Sequence, residues 1–272
     1  MRISTVIAAA AVSFFATTAL AVEGVGQAMA VIDLAKATGQ AGERTLAIGS
    51  KVFVGDLVTT DAAGRAQLLF ADGTRMIVGS DSSLVIDEFR FSGSTNEDAS
   101  ENRFVIHALA GRFRFISGDS GDRGYSIRTP SARISVRGTA FDFTVTPEGE
   151  TKMVLLEGEA TLCSEDGEED DCVTVATPCA VAQTDSDEGV EEIEAGPRRV
   201  RETREHFPHL ESQSNLLEDF RIAGHGCIVG GLAASSLAGL EILVPAAVGA
   251  VIICALLCFP SGGSSSSTNS TN

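Results

Sequence analysis

The sequence predicts an all-β domain, on three observations. From Ala28 to about Gln183 apolar and polar residues alternate with a period of two. Turn-forming residues recur every eight to twelve positions, and the alternation stops after Thr184. Period-two alternation places one face of each strand on a core and leaves the other polar, as in antiparallel sheets with one covered side. Phe104, Ile106 and Ala108 alternate with Arg103 and His107, and Phe113 and Phe115 with Arg112 and Arg114. Ala132, Ile134 and Val136 alternate with Arg133, Ser135 and Arg137, and Phe141, Phe143 and Val145 follow with the same spacing. Asp72-Gly73 separates Arg65–Phe70 from Thr74–Val78, and Glu157-Gly158 separates Met153–Leu156 from Glu159–Cys163. Both pairs predict tight hairpin turns, because glycine supplies the positive φ such turns require. Ser92 to Asn102 is polar and aperiodic and predicts a mobile loop.

The chain ends divide the rest. Arg2, an apolar run from Val6 to Leu20 and the small residues Ala19 and Ala21 follow the grammar of a secretory signal peptide. Residues 1–21 are therefore expected to be removed, and the protein to be exported to the periplasm or cell envelope. Residues 22–183 are expected to form the β domain and to fold without the C-terminal remainder of the chain. Residues 184–226 read as a charged linker, helical in part between Pro197 and Ile222 and interrupted by Pro208. Residues 227–259 are apolar and rich in Gly and Ala, and 260–272 form a polar tail that predicts disorder. Ile242 to Phe259 carries no charge over a length sufficient to cross a hydrocarbon core, yet the tail beyond it has no Lys or Arg. A membrane span, self-association of small-residue helices and a buried hairpin all stay open for this segment.

A net charge of −17 keeps the chain soluble and excludes nucleic acid as a partner. Between Pro147 and Ala195 sixteen Asp and Glu face the single Lys152, whereas arginines concentrate between Arg90 and Arg137. That asymmetry predicts either internal pairing or an acidic patch for a cationic partner. Six cysteines in an exported chain are read first as disulfides. Cys163 and Cys172 bracket an acidic loop and are expected to bridge, which restricts the unfolded chain by about 2–3 kcal/mol. Cys179 and Cys227 are the candidates for a second bridge, although four cysteines permit three connectivities. Cys254 and Cys258, four apart in an apolar run, read as buried thiols.

No catalytic, cofactor or metal site is expected. Gly118-Asp119-Ser120-Gly121-Asp122 looks like a nucleophilic serine loop, but no suitably placed base accompanies it. It reads as a polar turn. His206, His209, His225 and Cys227 fit no compact zinc spacing, and the histidines read as surface residues. The acidic loop Glu165–Asp171 offers oxygen ligands of the kind Ca²⁺ takes, but it lacks the alternation of an EF-hand and reads as solvated.

Several motifs in order resemble the FecR-type domain. They are Val54-Gly55-Asp56-Leu57-Val58, Arg65-Ala66-Gln67-Leu68-Leu69-Phe70-Ala71-Asp72-Gly73-Thr74, Leu109-Ala110-Gly111-Arg112-Phe113, Val136-Arg137-Gly138-Thr139-Ala140-Phe141 and Val154-Leu155-Leu156-Glu157-Gly158. Ile127-Arg128-Thr129-Pro130-Ser131-Ala132 matches as well. The resemblance implies an all-β, solenoid-like or sandwich-like periplasmic module that works by contact with a protein partner. The motif residues Gly55, Asp56, Asp72, Gly73, Gly111, Gly138, Thr139 and Gly158 are expected where the chain turns. Arg137 reads either as a buried arginine tying two turns or as a charge facing a partner. Iron-uptake regulators of the family carry a sigma-binding cytoplasmic segment, whereas this chain starts with a signal and contains no tryptophan. The expectation is a non-catalytic sensing or docking module held at a membrane or assembly by its C-terminus. The alternative is a cell-envelope structural protein that self-associates through 227–259.

Overall fold

The computed structural model describes residues 23–93, 101–121, 124–165, 171–185, 189–222 and 227. The signal, the centre of the polar loop expected to be mobile, His225, Cys254, Cys258, most of the acidic loop and the apolar C-terminal segment lie outside the described residues. All described residues belong to one compact unit that ends at Gly231. Among them no helix is long and apolar enough to cross a membrane.

The all-β expectation holds. The strands are β1 (Gly26–Ile32), β2 (Ala35–Gly39), β3 (Gly42–Thr45), β4 (Lys51–Val52), β5 (Leu57–Thr60), β6 (Arg65–Phe70), β7 (Arg75–Val78) and β8 (Ser83–Arg90). They continue with β9 (Arg103–Ile116), β10 (Tyr125–Arg128), β11 (Ala132–Val145), β12 (Thr151–Ser164), β13 (Cys172–Val175), β14 (Val181–Asp185) and β15 (Gly189–Ile193). They join in one sheet in the order β15-β14-β12-β11-β10-β9-β7-β6-β1-β4, with β8, β5, β2 and β3 branching from β9 and β13 from β12. β10 runs parallel to β9, and the other pairings are antiparallel. The inward residues of β1 through β14 form one apolar cluster, so the sheet wraps around a common core. Aromatic rings fill its centre: Phe104 meets Phe70 edge-on at 4.7 Å, and Phe113 stacks on Phe143 at 4.9 Å.

Asp72-Gly73 makes the expected hairpin between β6 and β7. Glu157-Gly158 does not turn the chain. β12 runs through it without a break, as β9 runs through Gly111 and β11 through Gly138, so three segments read as pairs of short strands are single strands of 14 residues. The glycines act as bulges. Their φ values of 118° (Gly111), 58° (Gly138) and 80° (Gly158) insert a residue that other side chains seldom tolerate. Each bulge reverses which alternate residues face the core. In β9 the even residues Phe104, Ile106 and Ala108 point inward before Gly111, and the odd residues Phe113 and Phe115 after it. β11 changes from Ala132, Ile134 and Val136 to Phe141, Phe143 and Val145, and β12 from Met153 and Leu155 to Ala160 and Leu162. A one-residue insertion has this effect because side chains alternate with a period of two. Each long strand thus has two half-strands with separate outward faces and separate neighbours.

The segment expected to be a charged linker belongs to the fold. Val190 and Ile193 pair β15 onto β14, and Glu191 and Glu192 hold Arg198 and Arg199 at 3.0 and 2.9 Å. Helices α1 (Pro197–His206) and α2 (Pro208–Glu211) follow, broken at Pro208 as expected, and then a 3-10 turn at Glu218–Phe220. Phe207, Leu210 and Ile222 pack on outward residues Ile116, Ala140, Val154, Leu156, Val181 and Ile193. Leu216 and Phe220 close over Ile77. Cys227 bonds to Cys179 and ties this covering segment to the sheet, while Cys163 and Cys172 bond across β12 and β13. The covering segment therefore supplies a second apolar layer on the outward side of the sheet.

Candidate interaction surface

The family-motif residues organise backbone. Gly55 turns the chain at a φ of 84°, and buried Asp56 accepts the Phe53 amide at 2.9 Å and a guanidinium hydrogen bond from Arg44. Asp72 is a buried hub. Its carboxylate accepts the Thr74 amide at 3.0 Å and the hydroxyls of Thr74, Ser120 and Tyr125 at 2.7, 2.6 and 3.1 Å. Burial raises the Tyr125 pKa first; Thr74 counters this and the Asp72 charge adds to it. Ser120 thus serves a structural network, in keeping with its reading as a turn residue. The Arg137-Gly138-Thr139 bulge is tied from both sides. The Thr139 hydroxyl donates to Glu159 O at 2.7 Å and accepts the Arg137 amide at 2.9 Å, and the Ser117 hydroxyl accepts the Thr139 amide at 2.9 Å. Arg137 itself is exposed, so the buried-arginine reading is corrected: Thr139 ties the turns.

Beyond the bulges, the outward residues of the half-strands Arg112–Ile116, Ala140–Val145 and Thr151–Leu156 face the covering segment. A charged pair sits in this layer. Arg114 is fully buried, and its Nε and Nη2 donate to both Asp142 oxygens at 2.6 and 2.9 Å. The remaining guanidinium hydrogens reach Gln213 Oε1 at 2.9 Å and the carbonyls of Phe220 and His209 at 3.3 Å each. Such a pair is tolerated in a dry layer because nearly every donor is used, and removing one partner strands the other charge. The guanidinium therefore links the sheet to both halves of the covering segment. Gln67 adds a second link, donating to Asn215 O and accepting the Leu217 amide at 3.1 and 2.9 Å.

Among the described residues, nothing equivalent covers the outer face of the other half-strands. Register aligns His107, Arg128, Arg133, Cys163 and Cys172 in one row across β9 to β13. Val105, Ser126, Ser135, Thr161 and Thr174 form the next row. Arg128 and Arg133 are exposed, and neither makes an ion pair or side-chain hydrogen bond among the described residues. Among the described residues, these two guanidinium groups stand uncompensated on a hydroxyl-bearing sheet face of an acidic chain. They offer planar recognition of carboxylates. Sequence reading missed both this surface and the Arg114–Asp142 pair, since Arg114 and Arg133 occupy equivalent places in the alternation. The parity change at each glycine was the available signal.

The histidines separate in role. His209 lies in α2 and is buried, contrary to its reading as a surface residue. Its pKa is lowered to about 4, first by burial, with Asp142 opposing and Arg114, Arg65 and Arg112 reinforcing the shift. His206 sits half-buried with Lys152 and Glu202, 3.3 Å from each. Cys227 is in a disulfide, and no group of residues among those described is arranged to hold a metal ion.

Comparisons with known proteins agree with the motif reading. Residues 56–161 match the FecR protein family, which takes in β5 through most of β12 and leaves the covering segment outside. No curated protein matches. Two crystal structures of an anti-sigma factor candidate from Parabacteroides distasonis ATCC 8503, at 2.50 and 1.65 Å resolution, align with a TM-score of 0.39 and 13% identity. The alignment covers 51% of this chain and 59% of theirs, so the chain spans little more than half of those proteins. That similarity is too low to transfer fold or function. On the ordered motifs and the family match, residues 56–161 of this chain are a FecR-type domain.

Proposed function

We propose that the protein is an exported, non-catalytic sensing or docking module that engages an acidic surface of a partner protein through the open face around Arg128 and Arg133. The observation that carries this reading is the presence of two exposed arginines, uncompensated among the described residues, on a FecR-type sheet within a chain of net charge −17. Long-range repulsion between acidic proteins opposes association, so a local cationic patch fixes where an acidic partner can approach. The signal-like pattern of residues 1–21 supports export to the periplasm or cell envelope, and the apolar composition of 227–259 supports attachment there through that segment. Fractionation followed by cross-linking in the intact envelope tests the reading. The expected result is a processed chain starting at Val22 and a heterologous adduct that is lost when Arg128 and Arg133 are changed to Glu. An unprocessed cytosolic chain contradicts the export claim. Adducts consisting only of this chain favour the self-associating structural protein.

A further inference from the structure

A cleft of about 290 Å³ lies at the rim of the covering segment, lined by Asp81, Ala110, Gly111, Arg112, Thr144, Val145, Thr146, Pro147 and His206. Three strands bring its polar groups into one row. Thr144 of β11 stands directly opposite Arg112 of β9 on one side and Lys152 of β12 on the other. Side chains in such register lie about 5 Å apart at Cβ, so the threonine hydroxyl sits between two cationic side chains.

The groups differ in how far they are satisfied. Lys152 is engaged by Glu202 at 2.8 Å, and His206 approaches both. The Arg112 side chain has no ion pair or hydrogen bond among the described residues, although it is half-buried. Asp81, the one carboxylate lining the cleft, is exposed and forms no ion pair with it. Thr144 is 5% exposed, and its hydroxyl has no hydrogen-bond partner among the described residues. A buried hydroxyl without a partner is destabilising, and a ligand oxygen placed in the cleft would relieve it. The imidazole of His206 is held below its usual pKa, first by burial, then by Lys152, with Glu202 and Glu205 opposing and Arg112 adding to the lowering.

We infer that this cleft binds the oxyanion group of a small molecule, a carboxylate or a phosphate, with Arg112 as its charge partner, the Thr144 hydroxyl as donor and His206 as the adjacent wall. The site lies at the edge of the covering segment, on the outward side of Arg112 and Thr144, and does not involve Arg128 or Arg133. It therefore stands independently of the docking reading. Gly111 lets Ser82 pack against the bulge beside the cleft, because an added Cβ there would overlap it.

Titration of the full-length protein with inorganic phosphate and, separately, with acetate, at constant ionic strength set by chloride, tests the assignment. The His206 ring proton resonances are the reporter. A saturable shift with one or both anions, absent with chloride, is expected. Saturation by phosphate alone assigns a phosphate ligand, and by acetate alone a carboxylate ligand. Arg112→Ala should weaken binding about tenfold or more, and Arg112→Lys less, since lysine keeps the charge but not the planar fork. Thr144→Val should weaken it by a smaller factor while preserving the fold, and Arg133→Ala should leave it unchanged. No saturable shift with either anion, or equal affinity in Arg112→Ala, overturns the inference.

Discussion

The two outer half-faces of this sheet begin from the same alternating pattern and end in opposite states. Before Gly111 and Gly138, the outward residues of β9 and β11, with β10 between them, leave Arg128 and Arg133 exposed and unpaired among the described residues. Beyond those glycines, Arg114 on the same β9 is fully buried and pairs with Asp142 of β11. The difference lies in what the chain supplies as cover. Residues 197–222 bring Phe207, Leu210, Leu216, Phe220 and Ile222 onto one half, and none of the described residues covers the other in this way. An arginine on an alternating strand has no fixed role of its own, and the cover over its half-strand decides whether it is structural or available.

The largest effect is expected from removing the cover. A chain ended after Gly196 exposes the second apolar layer and opens the Arg114–Asp142 pair to water. It should lose cooperative unfolding and bind a hydrophobic dye, while a chain ended after Cys227 should melt like the whole protein. Equal melting of the two would show that the half-faces do not differ in this way. Within the covered layer, Asp142→Ala leaves a buried guanidinium unpaired and should cost about 3–5 kcal/mol by chemical denaturation. Arg133→Ala on the open face should stay within about 0.5 kcal/mol.

Acid should sharpen the same contrast. His209 is neutral in the covered layer, with a folded pKa of about 4 against an unfolded value near 6.5. A depressed folded pKa means that the unfolded chain binds the extra proton between these values. The stability His209 carries is therefore complete above about pH 6.5 and is lost as pH falls toward 4, on the order of 3 kcal/mol. Denaturation midpoints across that window should fall in the natural chain and fall less in His209→Gln. The smallest effect concerns the bulges. Gly138 has open space around its α-carbon, so Gly138→Ala carries only the positive-φ penalty of about 1 kcal/mol. Gly158→Ala should cost more, because the added methyl overlaps the Gly138 carbonyl.

Much of this architecture was legible. Alternation located the strands, Asp72-Gly73 located a hairpin, and the cysteine spacing picked the Cys163–Cys172 bridge. Glu157-Gly158 was misread as a hairpin because the same positive φ that closes a turn also makes a bulge, and only the pairing partner distinguishes them. The parity change from Ala108 to Phe113 and from Val136 to Phe141 was in the sequence and marks both bulges. The covering segment was not legible. Its apolar contacts are few and widely spaced among charges, and much of what they cover, including Arg114 and Asp142, comes from strands more than fifty residues away in the chain.

Arginine-selective labelling, read residue by residue by mass spectrometry in the isolated protein and in the intact envelope, tests the division of the sheet most directly. In the isolated protein Arg128 and Arg133 should react readily and Arg114 should be protected; if the proposed partner docks on the open face, Arg128 and Arg133 should become protected in the envelope as well. Reaction of Arg114 in the folded protein would contradict the sealed half-face. Undiminished reaction of Arg128 and Arg133 in the envelope would contradict the docking face.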